Sequence, residues 1–271
     1  MAGSTGADRA REQRLVFGEV ADAYDRVRPT YPEPLFDAVA RFAALGPGDR
    51  VLEVGCGTGR ATVPLARRGL TVLGLEPSAD MAAVARRHCA AFPAVRIDTT
   101  TFEAWPVERH AFRLLVSAQA WHWVAPAARA TKAHDALAPG GGLALCWNRV
   151  RWRPDDPVRA ALDATYDRLA PTLAARRPGF PGLGAAPATP PSVVELEASG
   201  RFGPVRRHEY PWHARYRADR YVELLSTQSD HRMLPEPERR ALLDGVAAVV
   251  ADAGGEIRVD YIAELYLARR A

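Results

Sequence analysis

The chain of 271 residues predicts an α/β fold: an open, doubly wound sheet with helices on both faces. Three observations carry that expectation. Strand-like and helix-like runs alternate between residues 50 and 147. The first apolar run ends in an acid and a turn of alternating glycines, Glu53-Val-Gly55-Cys56-Gly57-Thr-Gly59. The second ends in another acid, Glu76, followed by Pro77. Alternation of this kind builds a mostly parallel sheet, because each strand-to-strand crossover needs a helix.

Residues 17–44 read as N-terminal helices, interrupted at Tyr31-Pro-Glu-Pro because a residue before proline is pushed out of helical geometry. Strand runs follow at 50–54, 71–75, 94–98, 113–118 and 142–147, with helical patterns at 59–68, 79–90 and 126–137. Pro64 falls early in the first of these helices, where few backbone bonds are lost. Ser78 is placed to cap the second. Between 149 and 203 the pattern changes. A helical stretch opens at Arg153-Pro-Asp-Asp-Pro, and a run rich in glycine and proline follows from Arg177. An insertion there suits a lid or cap, though a surface excursion fits as well. Strand patterns near 204–216 and 257–268 close the chain, with helices from Asp219 and from Pro235 to Ala253 between them.

The organisation expected is therefore a disordered tail at 1–14, a ligand-binding core with N-terminal helices at 15–148, a cap at 149–203 and a return to the core at 204–271. The polar N-terminus lacks the apolar stretch of a secretory signal, and no run reaches membrane-spanning length. The three cysteines, Cys56, Cys89 and Cys146, show neither metal-like spacing nor an even framework, which suits a reduced, cytoplasmic protein. Net charge is +4, and the basic residues are almost all arginine, with Lys132 the lone lysine. They are scattered and not interleaved with aromatics, so neither a nucleic-acid partner nor a membrane is implied.

The glycine turn lets backbone approach a ligand closely, and the helix after it offers unpaired N–H groups. A nucleotide-like or amino-acid cofactor suits that place. The third glycine of a dinucleotide fingerprint is replaced by Arg60. At the end of the second strand Glu76 would reach a ribose diol. Met81 would cover a planar base, or else fill the core.

With Glu53-Val-Gly-Cys-Gly-Thr-Gly59, Leu75-Glu76-Pro77 and Leu137-Ala-Pro-Gly-Gly-Gly-Leu143, the chain resembles the class I S-adenosylmethionine-dependent methyltransferases. Phe17-Gly-Glu-Val-Ala-Asp-Ala-Tyr24 through Tyr31-Pro32, Ala118-Gln-Ala-Trp121-His122-Trp123, Thr227-Gln-Ser and the C-terminal segment are similar to the trans-aconitate methyltransferase-like, small-molecule group. The resemblance implies a Rossmann-like, seven-stranded sheet, mostly parallel with an antiparallel last strand, and a helical cap inserted after strand five. It implies S-adenosylmethionine as cofactor, S-adenosylhomocysteine as product, no metal, and a small-molecule acceptor methylated on oxygen, nitrogen or carbon, with a carboxylate or hydroxyl oxygen leading.

On that reading Glu53, Gly55, Cys56, Gly57, Gly59, Glu76, Pro77, Met81, Thr101, Phe102 and Gln119 line the cofactor. Tyr24 would lie near the sulfonium. Arg28, on the same helical side as Tyr24, would clamp the cofactor's carboxylate or an acidic substrate. Trp121, His122, Trp123 and Gln228 would face the acceptor, although both tryptophans fit plain core packing too. An alcohol or phenol needs a base, and His122 and His231 are the candidates, with Tyr24 beside the reacting centre; a carboxylate needs none. Two other readings stay open: a cyclase or lyase that consumes the cofactor and releases methylthioadenosine, and a non-catalytic scaffold that only binds it. Departures from the resembling pattern are Phe112-Arg113, where Phe-Asp is usual, and Val124-Ala125-Pro126, where Asp-Pro often follows the His-Trp pair.

Overall fold

The computed structural model describes residues 21–153, 155–176 and 189–271. The tail at 1–14, the Phe17–Val20 part of the first motif and the turn-rich run 177–188 lie outside the described residues.

The strands are β1 (Arg50–Val54), β2 (Thr71–Leu75), β3 (Val95–Asp98), β4 (Phe112–Ala118), β5 (Leu137–Arg151), β6 (Arg206–Arg217) and β7 (Glu256–Arg269). They form one seven-stranded sheet in the order β3-β2-β1-β4-β5-β7-β6. The pairs among β1 to β5 are parallel, and β7 runs antiparallel to both of its neighbours. The expected Rossmann-like sheet is therefore present, with β7 as its antiparallel strand. Strand order reverses between β1 and β4, and a ligand crevice opens at the carboxyl ends of strands at such a switch point.

Central strands are buried on both faces, so they read as continuous apolar runs. Val51, Leu114 and Val116 face one layer with Leu35, Phe36 and Val39 of α2 (Glu33–Ala43) and Leu65 of α3 (Thr62–Arg67). Leu52, Val54 and Leu115 face the opposite layer. Its partners are Ala133 and Ala136 of α5 (Pro126–Ala136) and Val193 and Leu196 of α8 (Pro191–Ala198). Between β2 and β3 lies α4 (Ala79–His88), capped as expected by Ser78, whose hydroxyl accepts from the Met81 N–H at 3.3 Å.

A third apolar cluster stands over the β7 side. It joins α6 (Pro157–Leu169) and α7 (Pro171–Arg176) to α9 (Ala218–Ser226) and α11 (Glu236–Asp252), through residues such as Leu162, Tyr166, Leu225 and Val246. Within 149–203, then, α6 and α7 join helices from beyond β6, whereas α8 packs on the other side of the sheet. Two shorter helices complete the site: α1 (Ala21–Val27) and α10 (Ser229–Arg232).

Two local differences from expectation have simple causes. Helix α3 begins at Thr62, not at 59, because Gly59 takes φ 90° and the turn uses up the next residues. Strand β5 reaches Arg151, beyond the apolar run, because β7 pairs with it from Gly142 through Arg151. The unusual Arg113 sends its guanidinium to the carbonyl oxygens of Ala43 and Ala44, at 3.3 and 3.5 Å. A cation there complements the C-terminal end of α2.

Candidate active site

The glycine turn sits at the switch point. Gly55 has φ 71°, and a Cβ built on it would run into the Ala120 Cβ. Only glycine allows the turn after β1 to pass so close to the segment after β4. Gly59, by contrast, packs toward Ala85 of α4 and lines neither of the two cavities described next. It seats the turn against that helix.

Two cavities meet at this turn. The smaller, about 110 Å³, is walled by Glu76, Pro77, Met81, Thr101, Phe102 and Trp123. The larger, about 210 Å³, is walled by Arg28, Tyr31, Arg60, Asn148, Tyr221 and Tyr261 among others. Both are bordered by Tyr24, Gly55, Gly57, Ala118 and Gln119. Glu53, Cys56 and Gln228 belong to the larger one.

Glu76 takes up both ends of its carboxylate locally. One oxygen accepts from the Gly57 N–H and the other from the Ser78 N–H, each at 2.9 Å. Burial pushes its pKa up, against the pull of those two N–H groups. Glu53 is almost wholly buried and accepts from the Thr62 hydroxyl at 2.6 Å. Burial raises it to about 8, aided by the charge of Glu76 and opposed by Thr62. Near neutral pH Glu53 is therefore mostly a neutral acid. The Cys56 and Cys146 thiols are also pushed up by burial and are inert at neutral pH.

Helix α1 carries Tyr24, and Arg28 follows its last residue, with the Arg28 guanidinium 4.8 Å from the Tyr24 ring centroid. Arg28 also donates to the Thr227 hydroxyl and carbonyl, at 3.0 and 2.8 Å. Gln119 adopts φ 56° and donates its side-chain N–H to the Asn148 carbonyl at 3.2 Å. That bond ties the end of β4 to β5 beneath both cavities.

Three expected residues stand elsewhere. Trp121 is fully buried in the core against Phe102, with ring centroids 5.9 Å apart, because the one-turn helix Trp121–Trp123 directs it into the sheet layer. His122, on the same turn, points outward and is exposed, and it lines neither cavity. The His122 ring packs on that of Trp123, with centroids 4.7 Å apart, while Trp121 turns into the core. His231 is fully buried between Asp230 and Tyr166: Nδ1 stands 2.9 Å from the Asp230 carboxylate and Nε2 2.6 Å from the Tyr166 hydroxyl. It ties α10 to α6 and lines neither cavity. Trp123 does border a cavity, but the smaller one.

Residues that motif reading passed over complete the larger cavity: Arg60, Asn148, Tyr221, Leu224, Leu225 and Tyr261. The i, i+3, i+4 spacing of Tyr221, Leu224 and Leu225 marks a helix face but not what that face covers. Asn148 and Tyr261 lie on the paired strands β5 and β7, and only the sheet register brings them to the larger cavity.

Residues 51–141 match the family model described as a methyltransferase domain. An uncharacterized methyltransferase of Mycobacterium tuberculosis is 38% identical over 162 residues, which cover 55% of this chain and 64% of that protein. The match thus spans less than two thirds of that relative's length. The ubiquinone biosynthesis O-methyltransferase of Dinoroseobacter shibae is 37% identical over 122 residues, covering 44% of this chain and 48% of that protein. Among solved structures, phosphoethanolamine N-methyltransferase 2 of Haemonchus contortus has a TM-score of 0.54 at 15% identity, over 93% of this chain and 57% of that one. Its likeness is one of fold. In residues 51–141 the chain is similar to a methyltransferase domain, and its sheet order and glycine turn fit that likeness.

Proposed function

We propose that this protein transfers the methyl group of S-adenosylmethionine to an oxygen of a small organic acceptor, a carboxylate first. The observation that carries the proposal is the meeting of two cavities at Tyr24, Gly55, Gly57, Ala118 and Gln119. A nucleoside in the smaller cavity directs its sulfonium end toward that junction, and an acceptor in the larger one has its approach there. The smaller cavity fits a nucleoside: an acid for the ribose in Glu76, and apolar walls in Met81 and Phe102 for a base. Bound there, the cofactor supplies an activated methyl group, so the protein's own task is alignment. Tyr24 and the glycine turn hold the two reactants on one line, and Arg28 takes a carboxylate.

Oxygen of a carboxylate is favoured because, among the described residues, neither His122 nor His231 lines a cavity. A carboxylate is ionised at neutral pH and needs no base. The name of the Dinoroseobacter relative, an O-methyltransferase, supports oxygen as the reacting atom. A cytoplasmic setting accompanies this reading, since all three cysteines are free and buried. Among the described residues no helix is long and apolar enough to cross a membrane.

The test is mass spectrometry of purified protein with S-adenosylmethionine, alone and then with a panel of small acids and phenols. S-adenosylhomocysteine formed only with an acceptor supports the proposal. Methylthioadenosine from the cofactor alone refutes it in favour of a cyclase or lyase. Cofactor binding without turnover on any acceptor leaves a scaffold.

A further inference from the structure

Lys132 is the lone lysine of the chain, and it stands behind one wall of the smaller cavity without bordering it. That wall is the stretch Thr100-Thr101-Phe102-Glu103. It belongs to no strand, because β3 ends at Asp98 and β4 begins at Phe112, so no ladder of backbone bonds sets its place. The Thr101 carbonyl accepts from the Trp105 N–H at 3.0 Å, and the Thr101 hydroxyl from the Ala104 N–H at 3.1 Å. Those bonds shape a turn but do not fix it against the rest of the fold.

Two bonds to Glu103 do so. Its carboxylate accepts from the Ala125 N–H at 2.8 Å, next to Val124, which borders the same cavity. Its carbonyl accepts from the Lys132 ammonium, also at 2.8 Å. Lys132 reaches there from α5, and its nitrogen lies 5.6 Å from the Phe102 ring centroid and 5.9 Å from that of Trp105. The two rings are stacked, 6.3 Å apart and 14° from parallel. An ammonium so placed is attracted to both rings and, with three donors, bonds a carbonyl at the same time.

We propose that Lys132 is a positioning residue for the cofactor, holding the stretch from Thr101 to Glu103 where it meets the nucleoside. This rests on the reading above that the smaller cavity takes the nucleoside of S-adenosylmethionine. Lys132 acts through Phe102, the apolar wall for the base, and through the Glu103 backbone. With that wall held in advance, binding has less chain to order, and affinity rises.

Calorimetry with S-adenosylhomocysteine on the full chain, well below its melting temperature, tests this. K132M keeps an unbranched side chain but has neither charge nor donor, and its affinity should fall about tenfold, the scale of one charge-assisted hydrogen bond. K132R restores charge and donors and should stay within about threefold of wild type. A lysine that merely stabilised the fold would lower the melting temperature of K132M and leave this affinity unmoved. Acetylating the folded wild type with an N-hydroxysuccinimide ester alters the same amine without refolding, and it decides the matter should K132M fail to fold. Its affinity should fall as in K132M, while K132R treated alike, with no lysine to react, should not change. K132M within about twofold of wild type, K132R as weak as K132M, or an acetylated wild type that binds as before overturns the role of Lys132. E76A run alongside tells that failure from the failure of the reading beneath it: if E76A also binds as wild type, or the wild type does not bind at all, the smaller cavity is not the nucleoside's.

Discussion

Replacing Glu53 by Gln measures what it takes to hold an acid at the base of the site. Glu53 is fully buried, and its pKa rises from 4.5 to about 8. The folded state therefore binds more protons than the unfolded chain between those values, and stability falls as pH rises through that window. The slope is about 1.4 kcal/mol per pH unit for one group. Between roughly pH 6 and pH 8 the wild type should lose about 2 to 3 kcal/mol from this residue, and above the folded value the loss should level off. Gln has nearly the same shape, can still accept from the Thr62 hydroxyl and has no proton to exchange. The stability gap between E53Q and wild type should therefore open in the variant's favour by about 2 to 3 kcal/mol across that range. Urea unfolding of both proteins at several pH values, without cofactor, reads it directly. A gap that stays flat with pH would refute the reasoning, because it would mean that Glu53 ionises in the fold as easily as in the unfolded chain.

Other perturbations separate the parts of the site. Glu76→Ala removes an acceptor shared by Gly57 and Ser78, and the one proposed for the ribose. S-adenosylhomocysteine binding should weaken by about tenfold or more in calorimetry, and unchanged affinity would move the nucleoside elsewhere. Gly55→Ala forces a Cβ against Ala120 at positive φ, so the melting temperature should drop steeply, with about 2 kcal/mol or more lost. His122→Ala should leave turnover within about twofold of wild type, since the ring is exposed and borders neither cavity. A large fall in kcat with intact cofactor binding would return His122 to the chemistry. Tyr166→Phe deletes the hydroxyl that meets His231, at a cost of about 1 to 2 kcal/mol in denaturant unfolding. Equal stability would show that this bond does not tie α10 to α6.

The smaller cavity was legible because it is local. Strand, turn and strand-end acid lie between Glu53 and Glu76, and the walls contributed by Thr101 and Phe102 follow one strand later. Glycine spacing and the ends of apolar runs are short-range signals, and the sheet places such ends together by rule. Trp121, His122 and His231 show where that kind of reading stops. Residue type marked them as chemically able, but direction on a one-turn helix and burial under α6 set their surroundings. Neither is encoded in spacing. Tyr221, Asn148 and Tyr261 were missed for the opposite reason: nothing local marks them, and only the β5–β7 register and the packing of α9 bring them to the larger cavity.

The stretch that matches the methyltransferase domain ends at residue 141, before Asn148, Tyr221, Leu224 and Tyr261. The part of the chain that the domain model matches thus holds the smaller cavity, while part of the larger cavity's wall is drawn from sequence beyond that model. On the function proposed above, such a protein would exchange one substrate for another by changing residues scattered through its second half, with the smaller cavity left as it was. Relatives that share the first half will therefore divide by chemistry according to the second, and a substrate inferred from the shared half alone will be inherited in name more often than in fact.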